Sequence, residues 1–191
     1  MINKAFIKKL KSDYENHEGE RRQIISMSNV ILHSSKRVIF SLHRDEITKA
    51  KESLVEIEKN LKQLEKKFGL KRVALEGSYK AACEEYVEAK MFCRVMEGKK
   101  IDQIKEANLD MEGYLGGICD LTGELVRLAI NRAAAGKLDE IKTIKDFIQD
   151  IMAELVTFDM TGYLRTKYDQ AKTNLRKIEQ INYEIKLRQI K

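Results

Sequence analysis

Apolar residues recur at helical spacing through nearly the whole chain, and the densest such stretch is Gly113–Gly136, GYLGGICDLTGELVRLAINRAAAG. At about 100° per residue, Tyr114, Ile118, Leu121, Leu125 and Leu128 fall in one stripe. Leu115, Cys119, Thr122, Val126 and Ala129 form a second stripe beside it. The strip that remains carries Asp120, Glu124, Arg127 and Asn131. A helix apolar over most of its circumference belongs near the middle of a bundle. Two acids one turn apart on such a helix are either its one wet edge or a site.

The flanking segments read the same way. Residues 1–44 form one long helix or two collinear ones, with Gly19 the one expected interruption and Ile24, Met27, Ile31, Val38 and Leu42 inward. Asp45 is the expected N-cap of a second helix reaching Lys67, which turns Ile47, Leu54, Ile57, Leu61 and Leu64 inward. The alternating Lys and Glu of its other face give weak i,i+4 pairs and solubility. Gly69 closes that helix, and a third runs from Leu70 to Glu97. A brief helix is expected over Ile101–Ala107, then the central one over 110–135, with Gly136 as its left-handed terminator. A sixth spans Asp139–Phe158 and a seventh Gly162–Arg188. With no period-2 segment, internal repeat or low-complexity tract, the expectation is an all-α bundle of seven helices in a single domain, residues 1–191.

Composition narrows the class. The 191 residues include no proline and only 10 glycines, and 35% are charged, which suits long helices and leaves little of the turn chemistry that strands need. Cys83, Cys93 and Cys119 have no CxxC spacing and read as reduced core thiols of a cytoplasmic protein. No apolar run approaches the ~20 residues of a membrane span, and the N-terminus shows no signal-peptide core. The formal charge of +6 and a pI near 9.1 are compatible with a nucleic-acid partner, although interspersed charge on helices is more often solvated surface.

The third helix holds the sharper anomaly. Ala74, Ser78, Ala81, Glu88, Ala89, Phe92 and Met96 all fall within about 60° of Glu85 on the wheel, while Glu76, Lys80, Lys90 and Arg94 take the opposite, solvated face. Glu84 points sideways and reads as surface charge. Glu85 and Glu88 therefore sit among small and apolar residues, where an ionised carboxylate is costly unless paired or bound to a cation. Facing Asp120 and Glu124, they would gather up to four negative charges, raising their pKa values or recruiting a metal. Oxygen-only ligands favour Mg²⁺ or Mn²⁺ over zinc. Pairing with Arg94, Arg127 or Arg132 in a structural network accounts for the same spacing, and the pattern alone leaves both readings open. His17, His33 and His43, all on the first helix, read as surface or satisfied core residues. Gly116-Gly117 lies inside a helical pattern, so it reads as a close-packing site and not a phosphate loop.

Four blocks of this chain resemble the translin/TRAX family, and more closely its TRAX branch. Ser35 to Arg44 is similar to an SKRxIFxLHR block, and Glu85-Tyr86-Val87-Glu88-Ala89 matches EYVEA. Tyr114 to Arg127 resembles YLxGxxDLTGELxR, and Lys167-Tyr168-Asp169 through Tyr183 resembles the last helix of the family. The resemblance implies a seven-helix bundle of translin/TRAX type and a Mg²⁺-dependent endoribonuclease. Carried over residue by residue, its metal-binding catalytic acids are Glu85, Glu88, Asp120 and Glu124, the last as a further ligand or a base for the attacking water. Lys36, Arg37, Arg44, Lys71, Arg72 and Lys80 are candidates for guiding the phosphodiester backbone. RNA, with single-stranded DNA as a further candidate, and a homo-oligomer, with an octamer as the natural guess, are the implied partners. The chain departs from the eukaryotic pattern in being shorter at both ends, in lacking a long polar insertion between the two acidic helices and in having no nuclear-localisation arm. These departures suggest a compact, archaeal-type member. Two rivals compete with the nuclease: a non-catalytic nucleic-acid-binding scaffold, and an all-α Mg²⁺-dependent nucleotide pyrophosphatase, which Glu84-Glu85-x-x-Glu88 fits loosely.

Overall fold

Helix α1, Lys4–His43, runs without interruption through Gly19, which meets no neighbouring atoms. It starts where the Asn3 side chain accepts the Ala5 and Phe6 N–H groups, at 3.0 and 3.2 Å. This computed structural model of the chain describes residues 2–189, and among these every regular element is a helix. After α1 come α2 (Ile47–Phe68), α3 (Leu70–Val73), α4 (Gly77–Met96), α5 (Met111–Ala134), α6 (Asp139–Leu155) and α7 (Gly162–Gln189). The class and the number of helices agree with expectation, but the seven are not the same seven.

Three local expectations are corrected. Asp45 does not cap α2: it turns the chain at φ 60° and gives both carboxylate oxygens to Arg132, at 2.7 and 3.1 Å. The expected third helix is broken, because Glu76 is extended and buried as the acceptor of Arg72 (2.8 Å) and Arg21 (3.4 Å). Residues 101–107 form no helix. They belong to a strap that returns along α4 from its end to the level where α5 starts. Arg94 donates to the carbonyls of Asp102 and Gln103, the Tyr114 hydroxyl bonds both backbone groups of Ile104, and Asn108 reaches Glu65. Those bonds satisfy the polar backbone that a helix would have satisfied internally.

Helices α1, α4, α5 and α7 run parallel, while α2 and α6 run against them. The register follows from the contacts: Arg21 with Glu76 and Lys36 with Glu85 between α1 and α4, and Lys80 with Glu112 between α4 and α5. Between α5 and α7, Lys167 reaches Asp120 and Asn174 bonds the Thr122 hydroxyl. The core lies along α4 and α5, where Tyr86, Val87, Phe92, Leu121 and Leu125 are fully buried. Lys90, expected on a solvated face, is covered instead and pairs with Glu58 (2.7 Å) and Glu106 (3.4 Å), because α2 and the strap close over that side of α4. The three cysteines are free and buried. Among the described residues no helix is long and apolar enough to cross a membrane.

Two glycines set the distance between α4 and α5. A Cβ on Gly117 would lie 2.7 Å from the Val87 Cβ and 2.8 Å from the Glu84 carbonyl, and one on Gly116 would lie 2.0 Å from the Glu84 carboxylate. The first wall is backbone and a β-branched side chain, and it cannot yield locally. Gly117→Ala is therefore expected to lose stability. Overpacking of ~1–3 kcal/mol outweighs the ~1 kcal/mol that alanine gains in a helix, and thermal melts read the difference. Gly116→Ala, opposed only by a flexible carboxylate, should cost less but push Glu84 off its partners.

Candidate functional site

The α4–α5 approach places five carboxyls together: Glu84, Glu85 and Glu88 from α4, Asp120 and Glu124 from α5. Glu88 is the anomaly. It is 7% exposed and has no hydrogen bond or ion pair to any described residue. Burial, and then the charges of Glu85, Asp120 and Glu124, push its pKa up to about 9, so it carries a proton at neutral pH. Burial also raises Glu85, against the pull of Lys36 at 3.8 Å and with Asp120 and Glu124 adding to the rise. Asp120 is raised by burial although the Lys167 ammonium sits 2.5 Å away.

Glu124 goes the other way. Burial pushes its pKa up, but the His43 Nε2 at 2.5 Å, and Arg127 at 3.5 Å beyond that, hold it below the ordinary carboxylate range. His43 is buried, packs 4.9 Å from the Phe92 ring, and leaves its Nδ1 without a partner. With Nε2 donating to Glu124, it fixes that carboxylate in place. Lys167 joins the remaining acids, reaching the Glu84 carboxylate at 2.9 Å as well as Asp120. Tyr163 donates its hydroxyl to the same Glu84 oxygen at 2.7 Å.

The four acids expected from the sequence thus meet in one electrostatic field, but Glu85, Asp120 and Glu124 turn to separate partners and Glu88 to no described residue. Among the described residues no three His, Cys, Asp or Glu side chains are grouped as ready ligands of one ion. The counter-cations also differ from those expected. Arg127 does pair with Glu124, whereas Arg132 holds Asp45 and Glu140, and Arg94 binds the strap carbonyls. Lys36 and Lys167 supply the other ion pairs, and His43 adds a hydrogen bond to Glu124. Glu84 and His43 are the two residues that sequence reasoning set aside. Spacing carried no signal for either: Glu84 is held by Lys167 and Tyr163 of α7, and His43 lies 81 residues from Glu124.

Among the described residues five carboxyls face only three cations, Lys36, Lys167 and Arg127, and Glu88 is the acid that none of them reaches. Such an all-oxygen, acid-rich set suits a hard divalent cation in the chemistry of its donors. Of the other basic candidates, Arg37, Arg44 and Lys71 are exposed, Lys80 pairs with Glu112, and Arg72 is half-buried between Glu76 and Glu20. A cavity of about 500 Å³ lies apart from the acids, between α2, α4 and the strap. Of its four lysines, Lys51 and Lys99 are paired with Glu97 and Lys90 with Glu58 and Glu106.

Fold and site together define an all-α bundle that holds a carboxylate cluster between parallel helices. The chain belongs to the Translin family, whose model matches residues 19–189. Translin of Gallus gallus is 33% identical over 92 residues, which cover 48% of this chain and 40% of that protein. The chain thus spans well under half the length of the translins it matches. Translin-associated protein X of Mus musculus is 26% identical over 97% of this chain and 77% of its own length. An uncharacterized protein of Methanocaldococcus jannaschii is 26% identical over 85% of this chain and 74% of its own. Among solved structures, apo-NeC3PO matches with a TM-score of 0.83 at 23% identity, covering 96% of this chain and 97% of that one. AfC3PO in complex with duplex RNA also gives 0.83, at 18% identity, covering 96% and 98%. These structures share the fold.

Glu88 makes stability depend on pH. Its folded pKa lies above the ordinary 4.5. The stability it contributes is fully present below about pH 4.5 and is lost as pH rises through about 9, because the unfolded chain releases the proton first. In EDTA, Glu88→Gln is expected to melt near the wild-type temperature at pH 5 and to be the more stable by ~2–4 kcal/mol at pH 8. An equal difference at both pH values would show that Glu88 ionises freely in the folded protein.

Proposed function

We propose that the chain is a divalent-metal-dependent endoribonuclease, with Glu85, Glu88, Asp120 and Glu124 holding Mg²⁺ or Mn²⁺. The observation that carries this reading is Glu88, a buried carboxyl without a counter-ion inside a ring of three further acids. Family membership supports it, as does the fold shared with a protein whose structure contains duplex RNA. A bound Mg²⁺ would stabilise charge on the non-bridging phosphate oxygens and activate water for in-line attack.

The chain's own residues divide the remaining roles. Glu124, held ionised by His43 and Arg127, is a fixed acceptor and a poor base, which favours ligation over the base role. Lys36 sits half-exposed at the rim beside Glu85, where an ammonium can meet the phosphodiester backbone, and Arg37 and Arg44 extend that basic edge along α1. Lys167 and Tyr163 hold Glu84 and so keep α7 against the acids. The reading includes a homo-oligomer, an octamer by preference, and a cytoplasmic setting in keeping with three buried, reduced thiols. Single-stranded DNA is a second candidate ligand.

A non-catalytic scaffold is favoured by one observation, that Glu85, Asp120 and Glu124 already pair with protein cations, Lys36, Lys167 and Arg127 respectively. Incubation of purified protein with single-stranded and duplex RNA, with Mg²⁺, Mn²⁺ or EDTA, separates the two. Cleavage that needs metal, falls roughly 100-fold or more in Asp120→Asn and Glu88→Gln, and is accompanied by a metal-induced rise in wild-type Tm supports the enzyme. RNA binding with no metal-dependent cleavage supports the scaffold, and release of pyrophosphate from nucleoside triphosphates would support a pyrophosphatase.

A further inference from the structure

From Ile24 to Leu42 the buried residues of α1 step by four and three: Ile24, Ser28, Ile31, Ser35, Val38 and Leu42, covered by α2 and α4. The same register continues toward the N-terminus through Arg21, His17, Tyr14, Leu10 and Ile7, with Phe6 alongside. Nothing covers it there. Every residue from Ile2 to His17 is exposed, and Phe6, Ile7, Leu10 and Tyr14 stand 47–65% open. The helix from Lys4 to His17 projects about 20 Å past its last packed turn. A helical arm of that length is marginal in water unless its apolar side is covered.

The charges on the arm say what covers it. Lys4, Lys8, Lys9 and Lys11 come first, and Asp13, Glu15 and Glu18 follow. The lysine half would suit a nucleic acid or an anionic surface, but the apolar row would then stay in water and the acidic half would face like charge. Two copies of the arm in parallel would set like against like. Two copies in antiparallel order set each lysine half against an acidic half while burying both apolar rows. We propose that the α1 arm is a self-docking surface, on which the arms of two copies pack antiparallel through Phe6, Ile7, Leu10 and Tyr14. This deepens the homo-oligomer part of the proposed function and is independent of its metal chemistry.

The full chain tests this by light scattering after gel filtration and by sedimentation equilibrium. Leu10→Asp with Tyr14→Asp changes exposed positions outside the packed bundle, so the bundle should still fold cooperatively, with only the arm's share of helicity lost, while the oligomer loses this interface and its mass falls at least by half. Two charge variants sharpen the test. An acidic arm (Lys8→Glu, Lys9→Glu, Lys11→Glu) and a basic arm (Asp13→Lys, Glu15→Lys, Glu18→Lys) should each associate at least ~10-fold more weakly alone and recover when mixed. A wild-type oligomer unmoved by Leu10→Asp with Tyr14→Asp would overturn this interface and leave the oligomer standing. A monomeric wild type at all concentrations would remove both. Lysine variants that weaken RNA binding at unchanged mass would assign the arm to nucleic acid and overturn the proposal.

Discussion

The rest of the molecule depends on how closely α4 and α5 approach at Gly116 and Gly117. With no side chain at either position, the α5 backbone lies against Val87 and the Glu84 carbonyl. Parallel helices in that contact bring Glu84, Glu85 and Glu88 level with Asp120 and Glu124. The same closeness excludes water, so the acids repel one another at low effective dielectric while losing hydration. The packing constraint and the electrostatic anomaly therefore have one origin. A looser crossing would relax both, leaving five ordinary surface carboxylates.

Apart from Arg127 on α5, the partners of these acids come from outside the α4–α5 pair. Helix α1 supplies Lys36 and His43, and α7 supplies Lys167 with Tyr163. Each flanking helix is thus bound to the centre by charge as well as by apolar burial. The cost of breaking one such pair exceeds its net worth, because a buried carboxylate would be left without a partner. Glu88 shows that limit: no cation reaches it, and it stays neutral by keeping its proton.

Much of this could be read from residue spacing, and the exceptions share a cause. The wheel of α4 turned Glu85 and Glu88 inward correctly, because a single-face pattern suffices for a helix packed on one main side. It misplaced Glu84 and Lys90 because α4 is covered on several sides, by α1, α2, α5 and the strap. A wheel carries no information about a second or third neighbour. His43 was beyond reach for a related reason: it lies 81 residues from the acid it holds. The failed helix over 101–107 and the misread Asp45 are cases where tertiary partners, Arg94 and Tyr114 in one and Arg132 in the other, override local preference. Spacing singles out Glu85 and Glu88 because charge on an apolar face is an anomaly that periodicity exposes, while the family resemblance is what joins them to Asp120 and Glu124 as one proposed site.

The protein cations at the site bear on the choice between enzyme and scaffold. Lys36 pairs with Glu85, Arg127 with Glu124, and Lys167 with both Asp120 and Glu84, yet the five carboxyls outnumber these cations and none of the three reaches Glu88. A purely structural network gains nothing from that excess, since one leucine in place of Glu88 would remove a buried polar group and its pH-dependent cost. On the proposed reading Glu88 and Asp120 would be among the carboxylates that hold a divalent cation, and Glu84 is the second acid already in contact with the Lys167 ammonium. On this argument Glu84 is the residue that lets α7 stay docked whether or not Asp120 is taken by an ion. The arrangement then resembles a site with its counter-ions in reserve more than a salt-bridge network that happens to be acidic.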